Sequence, residues 1–283
     1  MKKFRLTVVT LMCLFTIIPV ASAADSVTCE LSELNMTIDV PADWITFTRD
    51  IDENDPNLKL LGTTAETLIS TYEANSIYFN AVYLDPLSEI VVTMITDESS
   101  QDIYDFNRIS DKDMPQAAET IREEMQKIMG DAATYTESSF YTHEQAKFAV
   151  FNFETSGALP DHAQQYTTII NGQTINVTLH SYTGELTTAQ EQLLEDVVNS
   201  ITFTKVTKKP GIDLSEAGIT AIIGGVVAGI VALVISLINR NKRKIAGATV
   251  SSAGMYDGIN PGNAPYPDDR QYPGNPPDDG PQA

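Results

Sequence analysis

Apolar and polar positions alternate over residues 36–40, and the run ends at Pro41, so the chain's first clear element is a short strand. Ala65, Leu68, Ile69 and Tyr72 then recur at helical spacing. They follow Thr63-Thr64-Ala65-Glu66, which has the form of a capping box. Two nearly continuous apolar runs, 78–84 and 89–96, are rich in β-branched residues, and Asp85-Pro86-Leu87-Ser88 separates them as a turn. Runs apolar on both faces predict central strands with cover on each side. The cover is at hand: Asp113 can cap a helix with Pro115 in its first turn, Ala118, Ile121, Met125 and Ile128 on its inner face, and Gly130 as its stop. Residues 102–109 add a shorter helical turn.

A strand-rich half follows, with strands expected over 134–144 and 147–154. Asn171-Gly172 suits a type I′ turn because both residues tolerate positive φ. Such a turn sets Ile170 opposite Gln173, Thr168 opposite Ile175 and Tyr166 opposite Val177. It predicts a hairpin that buries Tyr166, Thr168, Ile170, Ile175, Val177 and Leu179 and shows a Thr-rich side carrying Thr167, Thr174, Asn176 and Thr178. Thr188-Ala189-Gln190-Glu191 reads as a second capping box. It opens a helix with Leu193, Leu194, Val197, Val198 and Ile201 at helical spacing, and residues 201–203 add a last strand.

The two ends of the chain have other patterns. Lys2, Lys3 and Arg5, then an apolar stretch over 6–20, then Ala21-Ser22-Ala23, predict a signal peptide over 1–23. Residues 218–238 are 21 uncharged positions followed by Asn239-Arg240-Asn241-Lys242-Arg243-Lys244. A helix of that length reaches about 31 Å, the thickness of a bilayer's hydrocarbon core, and the basic cluster favours the cytoplasmic side. The expected organisation is an extracytoplasmic domain over 24–206, a stalk over 207–217, one transmembrane helix over 218–238, and a cytoplasmic tail over 239–283. The last 33 residues hold seven prolines and five glycines without apolar periodicity, and predict disorder. The localisation expected is a cell membrane, single-pass, with the N-terminal domain outside.

Charge sharpens this division. Residues 24–217 carry 10 Lys and Arg against 33 Asp and Glu, whereas 239–283 carry five of each. The acidic exported part repels nucleic acid and anionic headgroups and attracts cations and basic partners. Within it Cys29 is the single cysteine, so no internal disulfide holds the domain.

The strand running into Val40-Pro41-Ala42-Asp43-Trp44 resembles the PsbP/Mog1-like group of α/β/α sandwich domains. So do the hairpin around Asn171-Gly172 and the closing helix ending in Val197-Val198-Asn199-Ser200-Ile201-Thr202-Phe203. The resemblance spans about residues 31–206. It implies an α+β fold with a largely antiparallel sheet flanked by helices, and accessory, assembly or partner-binding roles rather than an enzyme. It carries over no functional residue.

Candidate chemistry is sparse. His143, His162 and His180 stand alone, and no nucleophile elbow, zinc motif, phosphate loop or dinucleotide fingerprint occurs. No catalytic, cofactor-binding or metal residues are therefore assigned, and no cofactor is expected. Asp50-Ile51-Asp52-Glu53-Asn54-Asp55 begins like a calcium loop, but it has Asp55 where glycine is needed and Leu61 where a bidentate Glu belongs. Trp44 reads as a core anchor at the sheet's edge. Within the span, Ala221, Gly225 and Gly229 form a small-residue stripe suited to helix packing, either in a homodimer or against another membrane helix. The leading expectation is a membrane-anchored, non-enzymatic envelope protein whose acidic domain binds or scaffolds an unknown protein partner. The alternatives are a hydrolase or small-ligand receptor with a site in the sheet's cleft, or a cation-responsive sensor.

Overall fold

A computed structural model describes residues 25–156 and 161–208. The signal segment, the span with Ala221, Gly225 and Gly229, and the tail all lie outside the described residues. Among those described, no helix is long and apolar enough to cross a membrane. In chain order the elements are β1 (Ser26–Leu31), β2 (Met36–Pro41), β3 (Ile45–Thr48), α1 (Pro56–Leu60), α2 (Ala65–Ala74), β4 (Ile77–Leu84) and β5 (Leu87–Ile95). Then come α3 (Glu98–Ile103), α4 (Met114–Met129), β6 (Ala133–Thr142), β7 (Lys147–Thr155), β8 (Asp161–Ile170), β9 (Gln173–Ser181), α5 (Thr188–Asn199) and β10 (Thr202–Phe203).

The architecture is α+β. A seven-stranded antiparallel sheet runs β3-β4-β5-β9-β8-β7-β6, and a three-stranded sheet runs β1-β2-β10. Side chains on a strand alternate between faces, so the register divides the large sheet into two surfaces. On one, Phe79, Val92, Val177, Tyr166 and Val150 form a row across β4, β5, β9, β8 and β7. This face meets Met36, Ile38 and Val40 of β2 and Leu194, Val197 and Val198 of α5, in the main apolar core. Each such side chain contributes about 1.5–3 kcal/mol on burial.

The other face carries α2 beside β4 and α4 along β6 and β7. Ala118, Ile121 and Met125 of α4 are buried as their spacing predicts, and Gly130 ends the helix at φ +53°. Ile128 departs from the expectation: it is exposed. The buried stripe runs instead through Ala117, Ala118, Ile121 and Met125, which leaves Ile128 beyond the face toward β6.

The Asn171-Gly172 turn has φ of +54° and +74°, and the β8–β9 register pairs Ile170 with Gln173, Thr168 with Ile175 and Tyr166 with Val177, as the turn chemistry predicts. The Thr-rich side of this hairpin, however, is not shown to solvent. Thr167 and Asn176 are fully buried, and Thr174 and Thr178 nearly so. α3 and the helical turn Phe106–Arg108 cover it, with Ile103, Phe106 and Ile109 buried. Most of the covered polar groups bond one another, while the Thr174 hydroxyl is buried without a partner. Thr167 Oγ donates to Asn176 Oδ1 at 2.8 Å, Asn176 Nδ2 donates to Thr93 Oγ at 3.1 Å, and Gln165 Nε2 donates to Thr167 Oγ at 2.8 Å. Such a network offsets the desolvation that unpaired polar groups would cost.

Both helix starts differ from the expected boxes. α2 is capped by Thr64, which accepts from the Thr67 N–H, and Glu66 takes no part. The capping box of α5 lies one residue earlier than expected, between Thr187 and Gln190. Adjacent threonines are chemically equal candidates for the cap, and the direction of chain entry decides between them.

Candidate functional site

α5 lies over β2 and β9 and leaves the same face of β6, β7 and β8 partly uncovered. The result is a solvent-open trough of about 670 Å³ between α5, the floor of these strands and the flank of α4. Two cross-strand rows make the floor. One is polar: Glu137 of β6, Asn152 of β7 and Gln164 of β8 lie in register. Gln164 Nε2 donates to Asn152 Oδ1 at 3.0 Å, and Asn152 Nδ2 reaches Glu137 Oε2 at 3.5 Å. The other row is Ser139, Val150 and Tyr166.

The walls are charged. Thr188, Glu191, Gln192 and Glu195 recur at helical spacing along the side of α5 that borders the trough. From α4 come Glu119 and Arg122, which bind each other through two contacts of 2.9 and 2.5 Å. Ser138 Oγ also donates to Glu119 at 2.6 Å. The Arg122 and Ser138 hydrogen bonds hold the Glu119 carboxyl down to about 2. Arg122 is thus committed to Glu119. Among the described residues, Glu137, Glu191 and Glu195 have no cationic partner.

Tyr166 sits under this charge. Burial, with Glu195, Tyr141 and Glu191 nearby, raises its phenol well above the ordinary range. Its ring is braced edge-on by Tyr141 and Phe148. Gln164 is 9% exposed, and its Oε1 is buried without a donor. A buried carbonyl acceptor without a donor, on a residue that lines an acidic floor, suits a ligand that brings N–H groups.

The histidines do not converge here. His180 Nδ1 lies 2.8 Å from Asp161 Oδ2, with both side chains buried on the opposite face of the sheet, and Glu89 is its register partner on β5. Tyr182 stacks on the imidazole at 6.1 Å and Phe153 meets it edge-on. His162, on the trough's face but outside the trough lining, is 4.0 Å from Glu154. His143 accepts the Gln145 N–H in the turn before β7. The pairing of His180 with Asp161 had no trace in the sequence, where 18 residues separate them.

The other sequence candidates resolve locally. In the acidic loop, Asp52 accepts the Asn54 N–H, and Asp55 caps α1 by accepting the Asn57 N–H. No group of three or more potential ligands that could hold a metal occurs among the described residues. Trp44 is half-buried beside the edge strand β3 and stacks on Tyr83 at 5.6 Å. Cys29 is a free, half-buried thiol whose pKa burial raises. The trough itself was missed in the sequence reading. Its one local signal is the acidic stripe at Glu191 and Glu195, which reads equally well as a solvated helix face.

No protein-family model and no curated protein matches this chain. Among solved structures, cyanobacterial PsbP (CyanoP) from Synechocystis aligns with 11% identity over 65% of this chain and 95% of its own, at a TM-score of 0.39. A Bacteroides thetaiotaomicron protein aligns with 10% identity over 62% of this chain, at a TM-score of 0.27, and the alignment spans 46% of that protein's length. A Pseudomonas aeruginosa protein of unknown function aligns with 10% identity over 66% and 99%, also at 0.27. At these scores the likenesses assign neither a family nor a function.

Proposed function

We propose that the chain is a membrane-anchored, non-enzymatic protein whose exported domain docks a protein partner in the acidic trough. One observation carries this reading: an open cavity of about 670 Å³ with Glu137, Glu191 and Glu195 on it and no cation among the described residues to neutralise them. The uncharged run 218–238 with its basic flank supports the anchored setting. Docking on this face would place the partner on the outside of the membrane.

Two measurements test the two halves. Crosslinking in intact membranes, with a photoreactive residue in place of Ser139, should trap a partner that the same residue at exposed Val27 does not. A protein that stays uncrosslinked at Ser139 removes the docking role. A reporter fused after residue 283 should be active on the cytoplasmic side. Activity outside, or release of the protein by carbonate, removes the single-span setting.

A hydrolytic reading would rest on the His180–Asp161 pair. That pair is buried on the face opposite the trough, and Phe153 and Tyr182 pack against its ring.

A further inference from the structure

Four consecutive residues of β6, Thr136 to Ser139, border the trough, and β6 is the terminal strand of the seven-stranded sheet. A ligand in the trough therefore lies against a strand edge with no partner strand among the described residues, where an extended polypeptide can add its own backbone hydrogen bonds. Three further features bear on that ligand. The carboxylates of Glu191 and Glu195 stand one helical turn apart on α5, and Glu137 lines the floor from β6. Arg122, the one cation of the lining among the described residues, is held by Glu119. Gln164, nine-tenths buried, lines the floor and has a buried carbonyl oxygen with no donor.

We propose that the trough recognises an arginine carried on an extended segment of the partner, with the segment along β6 and the guanidinium over Gln164 between Glu137 and the α5 carboxylates. This rests on the docking role proposed above and names its chemistry. A guanidinium offers five N–H donors in a planar fork. It can therefore satisfy the Gln164 carbonyl and a carboxylate together, which an ammonium point charge does less well. It also supplies the positive charge that Glu137, Glu191 and Glu195 lack.

The test uses the full-length chain in nanodiscs and a fluorescein-labelled peptide, Thr-Val-Thr-Arg-Thr-Val-Thr. The comparison peptide has citrulline, which keeps the shape of arginine without its charge. Fluorescence anisotropy should show the arginine peptide binding at least tenfold more tightly than the citrulline peptide. Gln164→Leu and Glu191→Gln should each weaken the arginine peptide about tenfold, the size of one charge-assisted hydrogen bond, and Glu191→Gln should leave the uncharged citrulline peptide unchanged. Glu195→Gln, on the surface of α5, gives the same readout should Gln164→Leu melt early. Ser139→Trp, which fills the trough, should abolish binding of both peptides.

Equal affinity for the two peptides, both lost in Ser139→Trp, would overturn the arginine assignment and leave the trough as a docking site. Binding that survives Ser139→Trp would overturn the docking site as well. An arginine peptide that fails to bind, or one that binds Gln164→Leu and both glutamate variants as well as the parent, rejects the assignment.

Discussion

Asn171 Oδ1 accepts both the backbone N–H of Thr207, at 2.7 Å, and its hydroxyl, at 2.8 Å. The tip of the β8–β9 hairpin thus holds the segment after β10. Asn171 Nδ2 donates in turn to the Lys205 carbonyl, and the Tyr104 hydroxyl hydrogen-bonds with that of Thr207. The residue that makes the turn possible, through its φ of +54°, is also the one that ties down Lys205 and Thr207.

Asn171→Gly separates these two roles, because glycine accepts positive φ and has no side chain. We expect a loss of about 1–2 kcal/mol, from two to three neutral hydrogen bonds partly replaced by water, and a melting temperature lower by about 2–6 °C. Amide exchange at Thr207 should accelerate while exchange within β8 and β9 stays slow. Unchanged exchange at Thr207 would show that this segment is held by other contacts.

Tyr135 is buried with its hydroxyl unpartnered, and burial pushes its pKa far up. Removing such a hydroxyl removes a desolvation penalty, so Tyr135→Phe should stabilise the domain by about 1 kcal/mol. The urea midpoint should rise with the slope unchanged. A lower midpoint would mean that the hydroxyl has a partner after all.

Tyr135 acts together with Tyr166 at the alkaline limit. Tyr135 and Tyr166 both have folded pKa values above their ordinary value of 10, so the unfolded chain loses those protons first. Their contribution is intact below pH 10 and is lost as pH rises beyond it. Melting temperature should fall above pH 10, and the fall should be shallower in Tyr166→Phe. An equally steep fall in that variant would remove Tyr166 from the account.

Glu119 sets the corresponding effect in acid. Its carboxyl titrates near 2 in the folded domain against an ordinary 4.5, so its contribution is present above pH 4.5 and is lost as pH falls toward 2. The side chain is 40% exposed, so solvent screening keeps the gain to about 1 kcal/mol or less. Glu119→Gln should flatten the acid limb of a melting curve between pH 4.5 and 2 and also free Arg122 to compete for the trough's carboxylates. A parallel downward shift at all pH values would instead mean lost packing.

Asp161 supplies the oxygen that His180 Nδ1 meets at 2.8 Å, with both side chains 5% exposed. Asp161→Ala leaves a cavity and removes that bond, which should cost about 2–3 kcal/mol. Peptide binding in the trough, on the other face, should keep its affinity once the variant is folded. A variant as stable as the parent would show that the pair contributes nothing to the fold and would revive a functional role for it.

Particular elements show how far the chain could be read without coordinates. Asn171 and Gly172 were legible down to the register, because a two-residue turn with positive φ at both positions admits one pairing. The inner face of α4 was legible except at Ile128, where an apolar residue falls just outside the buried stripe. Thr187 and Thr188 were not separable, since the first turn of a helix depends on where the incoming chain arrives. The Thr-rich face of β9 was misread. Alternation reports which residues share a face, whereas the burial of that face depends on α3 and its following turn, some 70 residues earlier in the chain.

By itself the amino-acid order determined the local geometry here: turn type, strand pairing, helix faces, and the contrast between an acidic domain and an uncharged run with a basic flank. Tertiary structure alone decided which polar groups meet. Gln164, Glu137 and Glu191 come from three elements, and His180 and Asp161 from two neighbouring strands. Their proximity follows from how strands are ordered in the sheet and how far α5 reaches across it. Those depend on the summed burial of the whole core, a quantity no short stretch of sequence contains.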